Sequence, residues 1–314
     1  MIRLIKKISK YGVKQSFYRA LHRLASGFSF HPRYLYRKYF FGYAVKKING
    51  VKMFLDLKKD EGISKFLMIY GKREPLSVDH LLALGILKEG GVALDLGANI
   101  GYYALLESKL VGNNGLVYAV EPVLNNLRLL KKNIELNHMN NVNTYNLAMG
   151  REDKAQVEIY MRSKGNLSSL TPLSPEYGKI VATEQVKMRS VDTFVRQEIG
   201  RTPDFIRMDV EGYELEILEG MKETMREKPC LQIEFHPTLL NKEQKDRIYE
   251  LLKGNYSSVT IIINPKPYPG RFIRMLNKKM GENFHGEGTI EKGDVKFLHE
   301  LLFSSPRIFN TFIS

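Results

Sequence analysis

The sequence predicts an α/β protein whose core is a doubly wound, mostly parallel sheet with helices on both faces. Segments typical of strands alternate with segments typical of helices from residue 92 to residue 264. The apolar runs 92–96 and 257–263 contain few polar residues, as expected for strands that are covered on both faces. A chain of 314 residues is long enough for one large domain or two modest ones.

The N-terminal end of the chain carries most of its positive charge. The first 50 residues contain twelve Lys and Arg residues and no acid, and the net charge of the whole chain is +14. Apolar residues at helical spacings predict an amphipathic basic helix, or a pair of helices, over residues 1–28. Three roles fit this segment: a packed helix with a solvated basic face, docking on an anionic membrane surface through residues 1–40, or a nucleic-acid-binding arm. Because the excess charge is confined to one end, nucleic acid is the partner that we expect least.

The sequence shows no sign of a targeting or membrane-spanning segment. No run of about eighteen apolar residues occurs, and the N-terminus lacks the apolar core and cleavage site of a signal peptide. The only cysteine, Cys230, excludes an intrachain disulfide and a cysteine-based metal site, and its apolar neighbours predict a small buried side chain. We therefore predict a cytoplasmic protein, with peripheral membrane association as an open alternative.

Three regions follow from these patterns. Residues 1–75 form a basic helical region plus a hairpin centred on Asn49-Gly50, the strongest short hairpin signal. Residues 76–265 form the α/β domain, and residues 266–314 form an extension that completes the core. The predicted elements of the α/β domain are helix 77–88, strand 92–97, helix 99–111, strand 115–122, helix 123–137, strand 142–150, an inserted antiparallel pair at 155–161 and 184–191, helix 190–199 with Ser190 or Asp192 as its cap, strand 204–212, helix 213–226, strand 230–237, helix 241–254 and strand 257–264.

The turn after the first strand of the α/β domain, VALDLGANIGYYALL (92–106), indicates the type of ligand. Ligands of such sheets bind beyond the carboxyl ends of the strands, where the winding reverses. Gly97 and Gly101 lie four residues apart, which is not the spacing of a dinucleotide fingerprint. The Asp95 carboxylate would repel a pyrophosphate and attract an ammonium or sulfonium group. Glu121, which ends the next strand, can accept hydrogen bonds from ribose hydroxyls. Together these residues favour a cationic adenosine ligand, for which S-adenosylmethionine is the obvious candidate.

Four segments carry a specific family resemblance. LDLGANIGYYALL, YAVEP, NLAMG and FIRMDVEGYELEILEGM, in this order, resemble the FkbM-type family of S-adenosylmethionine-dependent O-methyltransferases over residues 50–265. The resemblance implies a Rossmann-like class I methyltransferase fold. It also implies that the first segment surrounds the methionine part of the cofactor, that Glu121 holds the ribose and that residues 146–149 lie near the adenine. The predicted cofactor-binding residues are Asp95, Gly97, Ala98, Asn99, Gly101, Glu121, Pro122, Asn146 and Ala148.

The chain departs from the family pattern at one position. Family members commonly carry a lysine two residues before the aspartate of the last segment, where this chain has Arg207. An arginine can replace that lysine in a salt bridge. It cannot replace a titrating amine, because a guanidinium does not lose its proton at working pH.

Four side chains at strand ends are candidates for the general base that an alcohol acceptor requires. Asp209 and Glu211 lie in DVEG, whereas Glu234 and His236 alternate along IEFHP and therefore point to the same face. Each also has a structural alternative: orienting the cofactor, capping a helix, or packing at a strand end. The four residues form a divalent-metal set on paper, but their spacing requires no metal, and we predict none. His285 could close over the substrate, although a flexible polar loop is the simpler interpretation.

The resemblance implies an O-methyltransferase that acts on a hydroxyl of a sugar, a glycan precursor or a glycosylated natural product. If the basic N-terminus docks on a membrane, a lipid-linked precursor is an attractive acceptor. The alternatives are an RNA methyltransferase that uses the basic arm and a non-catalytic binding protein with a vestigial pocket. The glycine spacing disfavours a nicotinamide-dependent oxidoreductase. The sequence does not indicate the oligomeric state.

Overall fold

The structure is a computed structural model that describes residues 32–60, 62–162, 168–170, 178–264, 289–305 and 308–314. The predicted basic helix over residues 1–28 and the predicted role of His285 lie outside these residues. In chain order the elements are α1 (Pro32–Phe40), β1 (Tyr43–Ile48), β2 (Val51–Asp56), α2 (Ile63–Tyr70), α3 (Pro75–Leu84), β3 (Val92–Leu96), α4 (Ala104–Val111), β4 (Leu116–Val120), α5 (Leu124–Leu136), β5 (Val142–Tyr145), β6 (Leu147–Gly150), β7 (Lys154–Arg162), β8 (Ser168–Ser169), β9 (Ile180–Ser190), α6 (Val191–Phe194), β10 (Phe205–Met208), α7 (Glu214–Glu219), α8 (Lys222–Arg226), β11 (Cys230–Phe235), α9 (Lys242–Lys253), β12 (Ser258–Ile263), β13 (Thr289–Asp294), α10 (Val295–Ser304) and β14 (Phe309–Ile313).

An eight-stranded sheet with the order β13-β12-β14-β11-β10-β3-β4-β5 forms the core of the molecule. The strands from β11 to β5 are parallel to one another, and β14 is antiparallel to both of its neighbours. The winding reverses at β3, since β4 and β5 lie on one side of it and β10 and β11 on the other. The predicted doubly wound, mostly parallel sheet is therefore confirmed. The apolar run 257–263 forms β12, whose two neighbours are both antiparallel to it.

Apolar side chains cover both faces of the large sheet. All five residues of β3 are buried. Leu94 and Leu96 face a core that includes side chains of α7 and α9, whereas Ala93 faces a second core that includes side chains of α4 and α5. Cys230 is buried in the second core, and burial raises the pKa of its thiol to about 12. Burial on both faces explains why the sequence of β3 shows no alternation of polar and apolar residues.

A second sheet, with the order β6-β9-β7-β8, contains the inserted antiparallel pair that the sequence predicts. The prediction of one strand over 142–150 is wrong: the segment forms β5 in the large sheet and β6 in the second. Asn146 separates them, because its Nδ2 donates to the carbonyl oxygens of Glu121 (3.1 Å) and Pro122 (2.7 Å). These two bonds hold the chain at the end of β4, where it passes from one sheet to the other.

The helix predicted over 77–88 is α3, which ends at Leu84, and the helix predicted over 190–199 is α6 followed by a π-helix over Val195–Ile199. Two other predicted helices differ more from the observed ones. The helix predicted over 99–111 begins at Ala104, because the preceding residues form a turn with positive φ at Asn99 and Gly101. The helix predicted over 213–226 is divided into α7 and α8. Asp192 explains the second start, because its carboxylate accepts hydrogen bonds from the amides of Glu223 and Thr224 at the beginning of α8. Ser190 caps α6, as one of the two predicted alternatives.

The predicted hairpin is present as β1 and β2, and α5 holds it against the α/β core. Asn133 on α5 accepts a hydrogen bond from the Phe54 amide at 2.6 Å and donates one to the Ile100 carbonyl at 2.9 Å. One side chain thus connects the hairpin with the turn that follows β3. Within the described ranges, no helix has both the length and the apolar character needed to cross a membrane.

Candidate active site

A cavity of about 590 Å³ opens at the carboxyl ends of the parallel strands, where the winding reverses. Side chains from α2 and β14 also line it. Eight of the predicted site residues line the cavity: Gly97, Asn99, Glu121, Pro122, Ala148, Asp209, Glu211 and Glu234. Five do not reach its wall: Asp95, Ala98, Gly101, Asn146 and His236. The fold therefore brings predicted cofactor-binding residues and predicted catalytic residues to one cavity.

The turn after β3 requires glycine at position 97. Gly97 has φ +84°, and a Cβ atom there would lie 2.1 Å from the backbone oxygen of Asp209. Its amide and that of Ala98 both donate to the Val120 carbonyl at 3.0 Å, and the Asp209 amide donates to the Leu96 carbonyl. The turn is consequently fixed between the ends of β4 and β10. Gly97 therefore allows the backbones of the turn and of residue 209 to approach each other at the cavity wall.

Glu121 connects the end of β4 with the same turn. Its Oε2 accepts the Asn99 amide at 2.8 Å, and its Oε1 accepts the Val123 amide at 2.9 Å and the Asn126 side chain at 3.2 Å. Burial raises the pKa of Glu121 to about 7, although these hydrogen bonds favour the charged form. Glu121 therefore gains or loses its proton near neutral pH, directly at the cavity wall.

Asp95 lies beneath the turn and is fully buried. Its Oδ1 is 3.0 Å from Nη1 of Arg207, whose Nη2 is 2.9 Å from Oδ2 of Asp209. The guanidinium also stacks on the Tyr103 ring, 4.0 Å from its centre. Burial opposes the charge on Arg207, but the neighbouring carboxylates hold the pKa of its side chain well above the usual range. A direct contact between Asp95 and the cofactor stays a prediction.

The contacts of Arg207 show which role it has in place of the lysine that is common in the family: it forms salt bridges. It bridges two carboxylates at the ends of β3 and β10. Its two terminal nitrogens serve one carboxylate each, which is the fork geometry that a guanidinium supplies. The residue acts here as a structural cation, and no titrating amine stands at this position.

His236 is buried between two carboxylates. Its Nε2 is 3.1 Å from Oε2 of Glu211, and its Nδ1 is 2.7 Å from Oε1 of Glu214. Burial lowers the pKa of the imidazole, but the two carboxylates outweigh this effect and raise it well above the ordinary value. A protonated imidazole has no lone pair with which to accept a proton. In this arrangement the carboxylates of the cluster are better placed than His236 to act as a base.

Glu234 lies beside Asp209 on the cavity wall. The residue is only 6% exposed, and its Oε2 has no hydrogen-bond partner among the described residues. Burial, together with the charges of Asp209 and Glu74, raises the pKa of Glu234 well above its ordinary value. By contrast, Arg207 and Arg73 keep the pKa of Asp209 below the ordinary value despite its burial. Two adjacent carboxyl groups thus differ in their affinity for a proton.

Sequence reasoning missed Arg73 and Glu74, which lie on the cavity wall just before α3. Nη2 of Arg73 is 3.5 Å from Asp209 and 3.7 Å from Glu234. The hydroxyl of Tyr102 bonds to the Arg73 backbone, and that of Tyr103 donates to Glu74 at 3.0 Å. The only sequence feature that pointed to such a contact was the pair of tyrosines after the glycine turn, because a buried tyrosine hydroxyl needs a hydrogen-bond partner.

Comparison with known protein families gives a match over more than half of the chain. The model of the methyltransferase FkbM domain matches residues 95–279. Among curated proteins, a protein-L-isoaspartate O-methyltransferase from Methanothrix thermoacetophila is 32% identical over 76 residues. That alignment covers 23% of this chain and 36% of the archaeal protein, so the chain spans only about a third of this relative.

Two of the solved structures that resemble this chain are named as methyltransferases. The methyltransferase FkbM from Methylobacillus flagellatus is 16% identical with a TM-score of 0.40, and the match covers 71% of this chain and 43% of that one. An S-adenosylmethionine-dependent O-methyltransferase from Thermotoga maritima is 12% identical with a TM-score of 0.40, over 86% of this chain and 76% of that one. The chain therefore spans less than half of the first of these structures.

Proposed function

Because the chain belongs to the FkbM methyltransferase family, we propose that it moves the methyl group of S-adenosylmethionine to a hydroxyl of a sugar, a glycan precursor or a glycosylated natural product. The methyltransferase activity and the cofactor S-adenosylmethionine follow from membership of this family. The hydroxyl acceptor and its carbohydrate character are the proposal.

The width of the cavity supports separate places for the cofactor and the acceptor. Glu121 follows β4 and Glu234 lies near the end of β11, and these strands are three positions apart in the sheet. At the usual strand spacing this corresponds to about 14 Å. A cofactor with its ribose near Glu121 and its methionine near the turn at Gly97 would direct its sulfonium towards the end of β10. The acceptor would then lie against Asp209 and Glu234.

The pair Asp209 and Glu234 is the observation that carries the proposal for a hydroxyl acceptor. Methyl transfer is an in-line displacement, and the protein must align the two molecules and assist the loss of the hydroxyl proton. Both carboxyl groups line the cavity, and they differ in proton affinity. The same part of the wall carries the amide of Asn310 and the ring of Phe309. Polar groups beside an aromatic face suit an acceptor that has several hydroxyls.

We expect Glu234→Gln to lower kcat for methyl transfer about 100-fold or more, the effect typical of a lost general acid–base group. The experiment follows tritiated methyl transfer to simple sugars, lipid-linked glycans and RNA. Affinity for S-adenosylhomocysteine should stay within about threefold of the parent value, because the substitution keeps the shape of a side chain on the acceptor side. Asp246→Asn, at a surface carboxylate paired with His299, is the matched control and should leave kcat unchanged. Label incorporated into RNA alone would contradict the proposal.

Cofactor binding should depend on pH through Glu121. If only the ionised carboxylate accepts the ribose hydroxyls, the affinity for S-adenosylhomocysteine should rise about tenfold from pH 6 to pH 8, given a pKa of about 7. The same raised pKa has the opposite effect on folding: the stability contributed by protonated Glu121 is present at acid pH and lost as the pH rises through about 7.

Calorimetric titration at several pH values tests the pH dependence. Glu121→Gln should bind more weakly at pH 8 and show little dependence on pH. Glu184→Gln is the matched control, since Glu184 accepts the Leu124 amide at 2.9 Å near the same helix start and does not line the cavity. A pH dependence that survives in Glu121→Gln would assign it to another group.

We further propose that an anionic membrane surface presents the acceptor. An aromatic patch around α1 is exposed beside basic residues; its members are Tyr36, Tyr39, Phe40, Phe41 and Tyr43. Residues 32–55 contain no acid, and aromatic and cationic side chains together suit an anionic interface. α1 packs on α2, whose Phe66 lines the cavity. In the transfer assay, acceptor carried on anionic vesicles should therefore react faster than the same acceptor on neutral vesicles.

A further inference from the structure

The side chains of Asp209, Glu234 and His236 lie closer together than cofactor binding or proton transfer would require. One donor atom from each of Asp209, Glu234 and His236 lies within 4.8 Å of the other two. Asp209 follows β10, and Glu234 and His236 come from the end of β11, the adjacent strand. The sequence spacing did not show whether these side chains lie close together, and the structure shows that they do.

We propose that Asp209, Glu234 and His236 bind a divalent cation, for which Mn²⁺ is the best match. Two carboxylates and one imidazole form a mixed oxygen and nitrogen donor set. Mg²⁺ and Ca²⁺ take oxygen ligands, whereas first-row transition ions also accept imidazole. The inference rests on the proposed function in one respect: a divalent cation lowers the pKa of a hydroxyl that coordinates it, as the proposed acceptor requires.

Glu234 provides an independent observation. Its side chain is more than nine-tenths buried, and Oε2 accepts no hydrogen bond from any described residue. The nearest cationic group is Nη2 of Arg73 at 3.7 Å, which is longer than a hydrogen bond. A buried carboxylate oxygen without a partner is costly. A cation between Glu234 and Asp209 would remove that cost.

His236 is oriented as a metal-bound imidazole would be. Ligating histidines almost always donate their second ring nitrogen to a carboxylate or carbonyl, which fixes the orientation of the ring. Here Nδ1 lies 2.7 Å from the fully buried Glu214. Nε2, which lies 3.1 Å from Oε2 of Glu211, would be the ligating atom, and binding of the cation would release the proton from this nitrogen. Glu214 is thus a positioning residue, and Glu211 is a neighbouring carboxylate that stabilises the added charge.

The charges of the cluster also favour a cation. Among the described residues, five carboxyl groups meet at this site: Glu74, Asp209, Glu211, Glu214 and Glu234. The permanently charged cationic groups in contact with them are Arg73 and Arg207, because His236 must be neutral to bind a metal ion. Arg207 is further shared with Asp95. Both arginines approach Asp209 at the same oxygen, Oδ2.

Titration of Mn²⁺ into the full-length protein, previously treated with a chelator, tests the site by electron paramagnetic resonance of the free ion. We expect one Mn²⁺ per chain. His236→Gln and Glu234→Gln should each weaken Mn²⁺ binding at least about tenfold, as is common for changes at or next to metal ligands. His299→Gln is the matched control, because His299 pairs with Asp246 at 2.9 Å outside the cavity. It should bind Mn²⁺ as the parent does.

Calorimetry with S-adenosylhomocysteine on the same samples separates the cation site from the proposed function. A parent protein that binds S-adenosylhomocysteine and no Mn²⁺ would overturn the cation site and leave the methyltransferase intact. Equal Mn²⁺ affinity in the parent, Glu234→Gln and His236→Gln would also overturn it. Loss of Mn²⁺ binding in variants that still bind S-adenosylhomocysteine, and are therefore folded, would support it.

Discussion

Replacing Gly97 with alanine is expected to abolish binding of S-adenosylmethionine and to destabilise the fold. The residue has φ +84°, a conformation that costs an L-residue with a Cβ about 1–2 kcal/mol. The added carbon would also lie 2.1 Å from the backbone oxygen of Asp209. Relief of that contact must move either the turn or the end of β10. We expect the free energy of unfolding to fall by about 3 kcal/mol or more when the strain and the displacement act together.

Gly90 offers a matched control for the Gly97 substitution. It has φ +82°, and an added Cβ would meet nothing within 4 Å. Gly90→Ala should therefore show the conformational cost alone, about 1–2 kcal/mol, and should bind the cofactor normally. Urea denaturation followed by far-UV circular dichroism gives the stability, and calorimetry with S-adenosylhomocysteine gives the affinity. Equal losses in the two variants would show that the approach to Asp209 is unimportant.

The sequence is most informative where function depends on backbone geometry. Gly97 and Asn99 are recognisable because few residue types adopt their conformations, and both reach the cavity wall. Glu121 is recognisable because it ends the next strand, and its contact with the Asn99 amide links the two predicted features. The order of strands and helices is predictable from local patterns, since the helices repeat a hydrophobic period and buried strands such as β3 are short apolar runs.

Contacts between distant segments could not be read from the same patterns. Arg73 precedes the α/β domain in sequence, yet it contacts Asp209 and Glu234 on the cavity wall. Nothing local to Arg73 predicts that placement. Asn146 shows the same limitation, because its bonds to the end of β4 divide a continuous strand-like pattern between two sheets. In both cases the contact is made by a polar side chain with a distant segment, and no hydrophobic period encodes such a contact.

Arg207 is the residue whose loss should most damage the buried charge cluster. Asp95 is fully buried, and Arg207 is the only described residue that forms an ion pair with it. Removal of one partner of a buried pair leaves an uncompensated charge and typically costs about 3–5 kcal/mol. We therefore expect Arg207→Met to lower the free energy of unfolding by about that amount. Arg201→Met is the matched control: Arg201 pairs with Asp204 at the surface, and its loss should cost about 1 kcal/mol or less.

Two further variants separate the charge of Arg207 from its shape. In Arg207→Lys the charge remains, but one ammonium replaces the two nitrogens that bond Asp95 at 3.0 Å and Asp209 at 2.9 Å. Its stability should lie between those of the parent and Arg207→Met, because one carboxylate loses its partner. The double variant Arg207→Met/Asp95→Asn should recover part of the loss, since no buried charge is then left unpaired at β3. If urea denaturation instead gave additive losses for the two substitutions, Arg207 would stabilise the fold through its packing on Tyr103 rather than through its charge.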